Sequence, residues 1–286
     1  MSIAIVTDST AYLPAGLVAA APTPITVVPL HVVVGGTERR EGVDITTADL
    51  SAALRAFTPV STSRPTPQAF LTEYERLAAE GATGIVSIHL SADMSGTVQS
   101  AQLAAQQSPV PVVVVDSRAL GMAMGYAVLS ASACAAADGS LEDVAAVACS
   151  RAKAASVAFY VDTLEHLRRG GRIGAASALL GSALAIKPIL TLRDGSIQPL
   201  ERVRTSSRAL ARLADLAVAA AADSTTTVDI AVQHLDSADR ASVLAADVSK
   251  RVGAALGDVV IGELGAVIGV HVGPGTLAVV VSPRTS

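Results

Sequence analysis

Three runs of branched apolar residues in the first half, Ile3 to Thr7, Gly84 to Leu90 and Pro111 to Val115, constrain the fold most. Each is apolar almost without alternation, so each reads as a strand covered on both faces, the habit of parallel sheets. Each ends on short polar residues: Asp8-Ser9-Thr10, Ser91 to Thr97, and Asp116-Ser117. A helical pattern then follows, which makes three β-loop-α units. Ligands of open parallel sheets bind outside the carboxyl ends of the strands, and the polar loops are expected at that edge.

Between the first two units, Val27 to Val34 reads as one strand carrying Pro29, and Thr37 to Asp44 as a charged turn. A helix is predicted from Thr47 to about Phe57. Ser61-Thr62-Ser63-Arg64-Pro65-Thr66-Pro67 is dense in hydroxyls and prolines and reads as irregular. Thr66-Pro67 suits the opening of the helix that holds Phe70 and Tyr74. Alternatively, the segment is a rigid loop presenting Thr62 and Ser63 to a ligand.

Past residue 150 the periods mix. A hairpin is predicted around Asp194-Gly195, helices over Ser206 to Ala222 and Ala238 to Gly253, and strands over Val157 to Val161, Val228 to His234, Val259 to Leu264 and Leu277 to Val281. The expectation is an α/β protein of two α/β domains. Residues 1–155 carry a largely parallel sheet and 156–286 a mixed one.

Composition removes several function classes. With 21 Lys+Arg against 25 Asp+Glu, seven aromatic rings and no basic tract, nucleic acid is not an expected partner. Two cysteines, Cys134 and Cys149, make no disulfide framework. The mean hydropathy is +0.50, and nineteen uncharged residues separate Arg118 from Asp138. Ala, Gly, Ser and Cys fill most of that stretch and contribute little to insertion, so a core helix is expected there and no membrane insertion. No cationic region precedes an apolar one at the N-terminus, and a soluble cytoplasmic protein is the expectation.

Walker A, His-Glu-x-x-His, Cys-x-x-Cys and Gly-x-Ser-x-Gly patterns are absent. The five histidines lack ligand spacing, so no metal, no cofactor and no catalytic residue is assigned. Ser95-Gly96-Thr97 follows a buried strand and precedes a helical run. It is either a helix N-terminus open to an anion or a plain cap made by Ser95. Gly170-Gly171-Arg172 and Arg202-Val203-Arg204 read as turns that project guanidinium groups or as solvated surface. His271, ahead of Gly273-Pro274-Gly275, is a cleft donor or a half-buried strand residue.

Taken in order, these segments resemble the DegV family of bacterial fatty-acid-binding proteins. The matching residues in the first half are Ile5-Val6-Thr7-Asp8-Ser9, Val28-Pro29-Leu30, Glu41-Gly42-Val43-Asp44-Ile45, Thr62-Ser63-Arg64-Pro65-Thr66-Pro67, Leu90-Ser91 with Ser95-Gly96-Thr97, and Asp116-Ser117. In the second half they are Thr163-Leu164-Glu165-His166-Leu167-Arg168-Arg169-Gly170-Gly171-Arg172-Ile173, Ile186-Lys187-Pro188-Ile189-Leu190, Arg202-Val203-Arg204-Thr205 and His271-Val272-Gly273-Pro274-Gly275.

The resemblance implies a lipid tunnel between two domains. It implies a long-chain fatty acid as ligand, and a non-enzymatic role as the lipid-presenting subunit of a fatty acid kinase in phospholipid metabolism. An ATP-binding kinase subunit is the implied partner, phosphorylating the bound carboxylate to an acyl phosphate. The implied carboxylate site comprises Thr62, Ser63, Ser95, Gly96, Thr97 and His271, and Arg172 and Arg204 belong to the head-group region or kinase docking. Arg64 departs from the family, which commonly has Gln or another uncharged residue there. The alternative from the residues themselves is a serine esterase or acyl hydrolase using Ser95 and His271.

Overall fold

The computed structural model describes residues 2–179 and 187–284. The chain forms two compact α/β units. The first holds the residues up to His31 and Ser63–Ala154, and the second holds Val32–Thr62 and Ala155–Arg284. Elements are numbered along the chain.

The first unit is built on β1 (Ile3–Asp8), β2 (Ile25–Val28), β6 (Gly84–His89) and β7 (Val112–Asp116), a parallel sheet in the order β2-β1-β6-β7. Every residue of β6 is buried, the polar Ser87 and His89 included, as in a strand covered on both faces. The helices are α1 (Ala15–Ala19), α3 (Pro67–Ala79), α4 (Thr97–Ala105), α5 (Met122–Ala136) and α6 (Leu141–Ala154). Thr66 caps α3 by accepting the Ala69 N–H at 3.2 Å, and Pro67 takes its first position. Phe70, Leu71 and Tyr74 then face the sheet with Val6, Val28 and Ile85. The long uncharged stretch is α5, buried from Met122 to Val128 because Ala and Gly allow close packing. Among the described residues no helix is long and apolar enough to cross a membrane.

The second unit opens with β3 (His31–Val34), β4 (Thr37–Arg40), α2 (Thr47–Arg55) and β5 (Val60–Ser63), the strands forming a small sheet in the order β4-β3-β5. It continues through β8 (Ser156–Tyr160), α7 (Glu165–Arg169), β9 (Lys187–Arg193), β10 (Ser196–Val203), α8 (Ser206–Ala222), β11 (Val228–His234), α9 (Ala238–Val252), β12 (Leu256–Glu263), α10 (Ala266–Val272) and β13 (Leu277–Pro283). The large sheet runs β10-β9-β8-β13-β11-β12 and is mixed: β11 and β12 are parallel, and its other pairs are antiparallel. Asp194 and Gly195 make the hairpin turn with φ of +50° and +81°.

A single cut at residue 155 thus misplaces Val32–Thr62, which joins the second unit. Glu41 Oε1 accepts the Val267 N–H at 2.7 Å, Thr47 donates to Glu263 at 2.6 Å, and Leu50 lies where a side chain on Gly269 would be. The strand expected over Val27–Val34 is two strands in different sheets, because Pro29 has no N–H for a ladder. Thr37–Arg40 is a strand rather than a turn; all its side chains are exposed, so no apolar alternation marks it. Thr62 and Ser63 likewise lie in a strand, with the prolines just beyond its end. Ile186 of the matched Ile186–Leu190 segment lies outside the described residues.

Candidate functional site

In the first unit, parallel pairing brings the ends of β1, β6 and β7 to one edge, in register through Thr7 with Ile88 and His89 with Asp116. Asp8 closes β1 and organises that edge. Its Oδ1 accepts the N–H and hydroxyl of Thr10, and its Oδ2 accepts the Leu90 N–H at 3.0 Å and meets His89 Nδ1 at 3.0 Å. The other ring nitrogen of His89 is 2.7 Å from Ser87 Oγ, which also accepts from the Tyr74 hydroxyl at 2.8 Å. Burial pushes the Tyr74 phenol up to about 12.

Asp8, His89 and Ser87 have the order of a hydrolytic triad. All three are fully enclosed, however, and Ser87 sits in mid-strand against Tyr74, so no substrate reaches its oxygen. The set is a satisfied buried network that fixes the loop after β6. Ser117 Oγ, donating to the His89 carbonyl at 2.7 Å, and the Ala92 N–H, donating to Asp116 Oδ1 at 3.2 Å, bind the loops to each other. Asp8 is marked in the sequence as a polar residue at the end of a strand, but His89, its partner across the sheet, is not. The network's signal in the sequence is two alternate polar residues, Ser87 and His89, inside an otherwise apolar strand.

That loop delivers Ser95, Gly96 and Thr97. Ser95 does not cap the helix: Gly96 occupies the N-cap position of α4 and supplies no side-chain cap. Ser95 Oγ instead pairs with Thr97 Oγ1 at 2.9 Å, Ser95 half-buried and Thr97 buried. The first-turn N–H groups of α4 thus have no capping side chain, the arrangement that favours an anion. Arg64 lies over Gly96, where a Cβ would collide with its guanidinium, and donates to Gln99 Oε1 at 3.2 Å. The residue that departs from the family pattern therefore sets a cation beside this helix start.

In the second unit, Thr62 on β5 and His271 in the last turn of α10 share a hydrogen bond of 3.0 Å through Nε2. His271 is helical, not on a strand. Its neighbours in α10 are all buried and leave this one polar side chain half-exposed. Its Nδ1 is enclosed with no partner among the described residues, and it lies against Gly170, which ends α7. Gly171 turns the chain with φ of +69°, and Arg172 folds back to donate to the Gly170 carbonyl at 2.7 Å. Burial, reinforced by the Arg172 guanidinium, lowers the His271 ring to about 4, so it is neutral near pH 7.

Thr62, His271 and Arg172 thus come together with Gly170. Ser63 follows Thr62 at the end of β5, half-buried. Arg204 is exposed in the turn between β10 and α8, and no hydrogen bond or ion pair among the described residues joins it to Thr62 or His271. For the hydrolase alternative, the geometry lacks an orienting carboxylate on His271, whose Nδ1 faces a glycine.

The family model described as "Uncharacterised protein, DegV family" matches residues 2–284. A DegV domain-containing protein of Streptomyces coelicolor is 53% identical over 282 residues, 99% of either chain. Among solved structures, a fatty-acid-binding DegV family protein from Thermus thermophilus superposes with a TM-score of 0.92 at 36% identity, covering 99% of this chain and 100% of its own. DegV of Bacillus subtilis, a fatty-acid-binding protein, gives 0.90 at 31% identity with the same coverage. The chain belongs to the DegV family.

Proposed function

We propose that this protein binds a long-chain fatty acid and presents its carboxylate to an ATP-dependent kinase subunit. The observation that supports binding most strongly is the whole-chain likeness to two fatty-acid-binding DegV structures, at TM-scores of 0.92 and 0.90. Burying ~14 methylenes at ~0.8 kcal/mol each gives a gross driving force of about 11 kcal/mol, so the acyl chain supplies most of the affinity. The head group needs donors, because an unpaired buried carboxylate is costly.

In this reading the hydroxyls of Thr62 and Ser95 donate to the carboxylate. Ser63 and Thr97 flank them, Gly96 opens the α4 N-terminus, and His271 acts through Thr62. Charge-assisted bonds of this kind contribute roughly 1.5–3 kcal/mol each. Neutral hydroxyls leave one carboxylate oxygen nucleophilic, whereas a bidentate arginine would engage both. That oxygen attacks the γ-phosphorus of ATP held by the partner; the bond to the β-phosphate oxygen breaks, giving acyl phosphate and ADP. Arg172 and Arg204 serve the head-group region or the docking of the partner. The chain itself has no nucleotide-binding signature.

Native mass spectrometry of freshly purified protein, followed by organic extraction, tests the binding. A mass excess equal to one acyl chain is expected. A bare chain that also takes up no added fatty acid overturns the proposal.

A further inference from the structure

Two short helices of the second unit interlock through their ends. α7 closes on Gly170, and the ring of His271 from α10 covers it; α10 closes on Gly273, and the ring of His166 from α7 covers that. A Cβ on Gly170 would collide with His271 Nδ1 and stand 2.8 Å from Cε1 and 3.2 Å from Cγ. Gly170 has φ of −74°, a conformation open to any residue. Backbone freedom therefore does not require glycine here; room for the imidazole does.

The contact also decides where the ring proton sits. If Nδ1 carried it, an enclosed N–H would point at a glycine with no acceptor among the described residues, at the cost of an unmade hydrogen bond. With the proton on Nε2, the ring donates to Thr62 Oγ1 at 3.0 Å and its Nδ1 lone pair faces Gly170. A threonine that accepts from the ring keeps its own proton for another acceptor. One that donates to the ring has none to give.

We propose that Gly170 is a positioning residue for the carboxylate site: packed bare against Nδ1, it fixes His271 as the Nε2–H tautomer and so commits the Thr62 hydroxyl to donate to the acid. This rests on the fatty-acid reading above and adds a residue that acts through the ring of His271. The neutral state of His271 is consistent with it, since a protonated ring would again direct an N–H at Gly170.

Long-range 1H–15N correlation on ¹⁵N-histidine protein, with His271 assigned through His271→Gln, reads the tautomer directly. A pyridine-like Nδ1 and a protonated Nε2 are expected. A protonated Nδ1 overturns the proposal, and this arm needs no ligand, so it stands even if the fatty-acid reading fails. For the second arm, Gly170→Ala should weaken binding of oleate about tenfold, the worth of one hydrogen bond. In a His271→Ala background the same change should alter affinity less than twofold. An equal loss in both backgrounds overturns the role of Gly170 through His271. If Gly170→Ala does not fold, Gly170→Ser read by the same spectrum replaces it, with loss of the wild-type ring pattern expected and an unchanged pattern refuting.

Discussion

Thr62→Val removes one hydroxyl and keeps the branched shape that suits β5. In the ligand-free protein it deletes the 3.0 Å bond to His271 Nε2. A neutral bond of this kind is worth about 1 kcal/mol, hence a shift in Tm of about 2–4 °C for a chain of this size. In the bound state it also deletes a charge-assisted bond of about 1.5–3 kcal/mol. Because Thr62 is half-buried, the lower part of that range applies, and Kd for the fatty acid should rise about 10- to 30-fold. Delipidated wild type and variant are compared by displacement of a fluorescent fatty acid and by thermal unfolding with and without ligand. At a fatty acid concentration of 100 wild-type Kd, ligand stabilises wild type by about 2.7 kcal/mol but a 30-fold weaker variant by only about 0.9. Unchanged affinity would refute the placement of Thr62 at the head group. A loss of apo stability as large as the loss of binding energy would make Thr62 a structural residue instead.

Three further outcomes follow from the same geometry. The His271 ring titrates near 4 when folded and at its ordinary 6.5 when unfolded, so the unfolded chain takes up the proton first as pH falls. The stability due to the neutral ring is therefore full above about pH 6.5 and drains away toward pH 4, up to about 3 kcal/mol before allowance for partial exposure. Urea unfolding across this window should show a flatter profile for His271→Gln than for wild type; parallel profiles would refute it. Asp8→Ala strands the donors of Thr10, Leu90 and His89 inside the first unit and should cost at least about 3 kcal/mol, seen as a fall in Tm of roughly 10 °C. A fall within 2 °C, on the order of 1 kcal/mol or less, would mean that the network carries little energy. Arg204→Ala should leave fatty acid affinity unchanged and reduce acyl phosphate formation with the kinase subunit; abolished lipid binding would move Arg204 into the pocket.

What the sequence made legible was set by local chemistry. Ser206–Ala222 and Val228–His234 match their expected bounds: Thr205 caps the helix, and the strand sets branched Val228, Ile230 and Val232 at every second position. Asp194-Gly195 announced its hairpin because left-handed φ selects those residue types. What failed depended on partners far along the chain. His271 has a strand alternative in the sequence, yet burial within the second unit makes Ala266–Val272 helical although Val267, Ile268, Val270 and Val272 are branched. Gly170 reads in the sequence as part of an exposed turn that projects Arg172, although φ of −74° asks nothing of glycine there and the ring of a residue 101 positions later does. Spacing cannot reveal a glycine kept for the volume it leaves empty, nor a tautomer imposed by that volume. The hydroxyl and the imidazole were legible as residue types; the contact that gives the pair a direction belongs to tertiary packing alone.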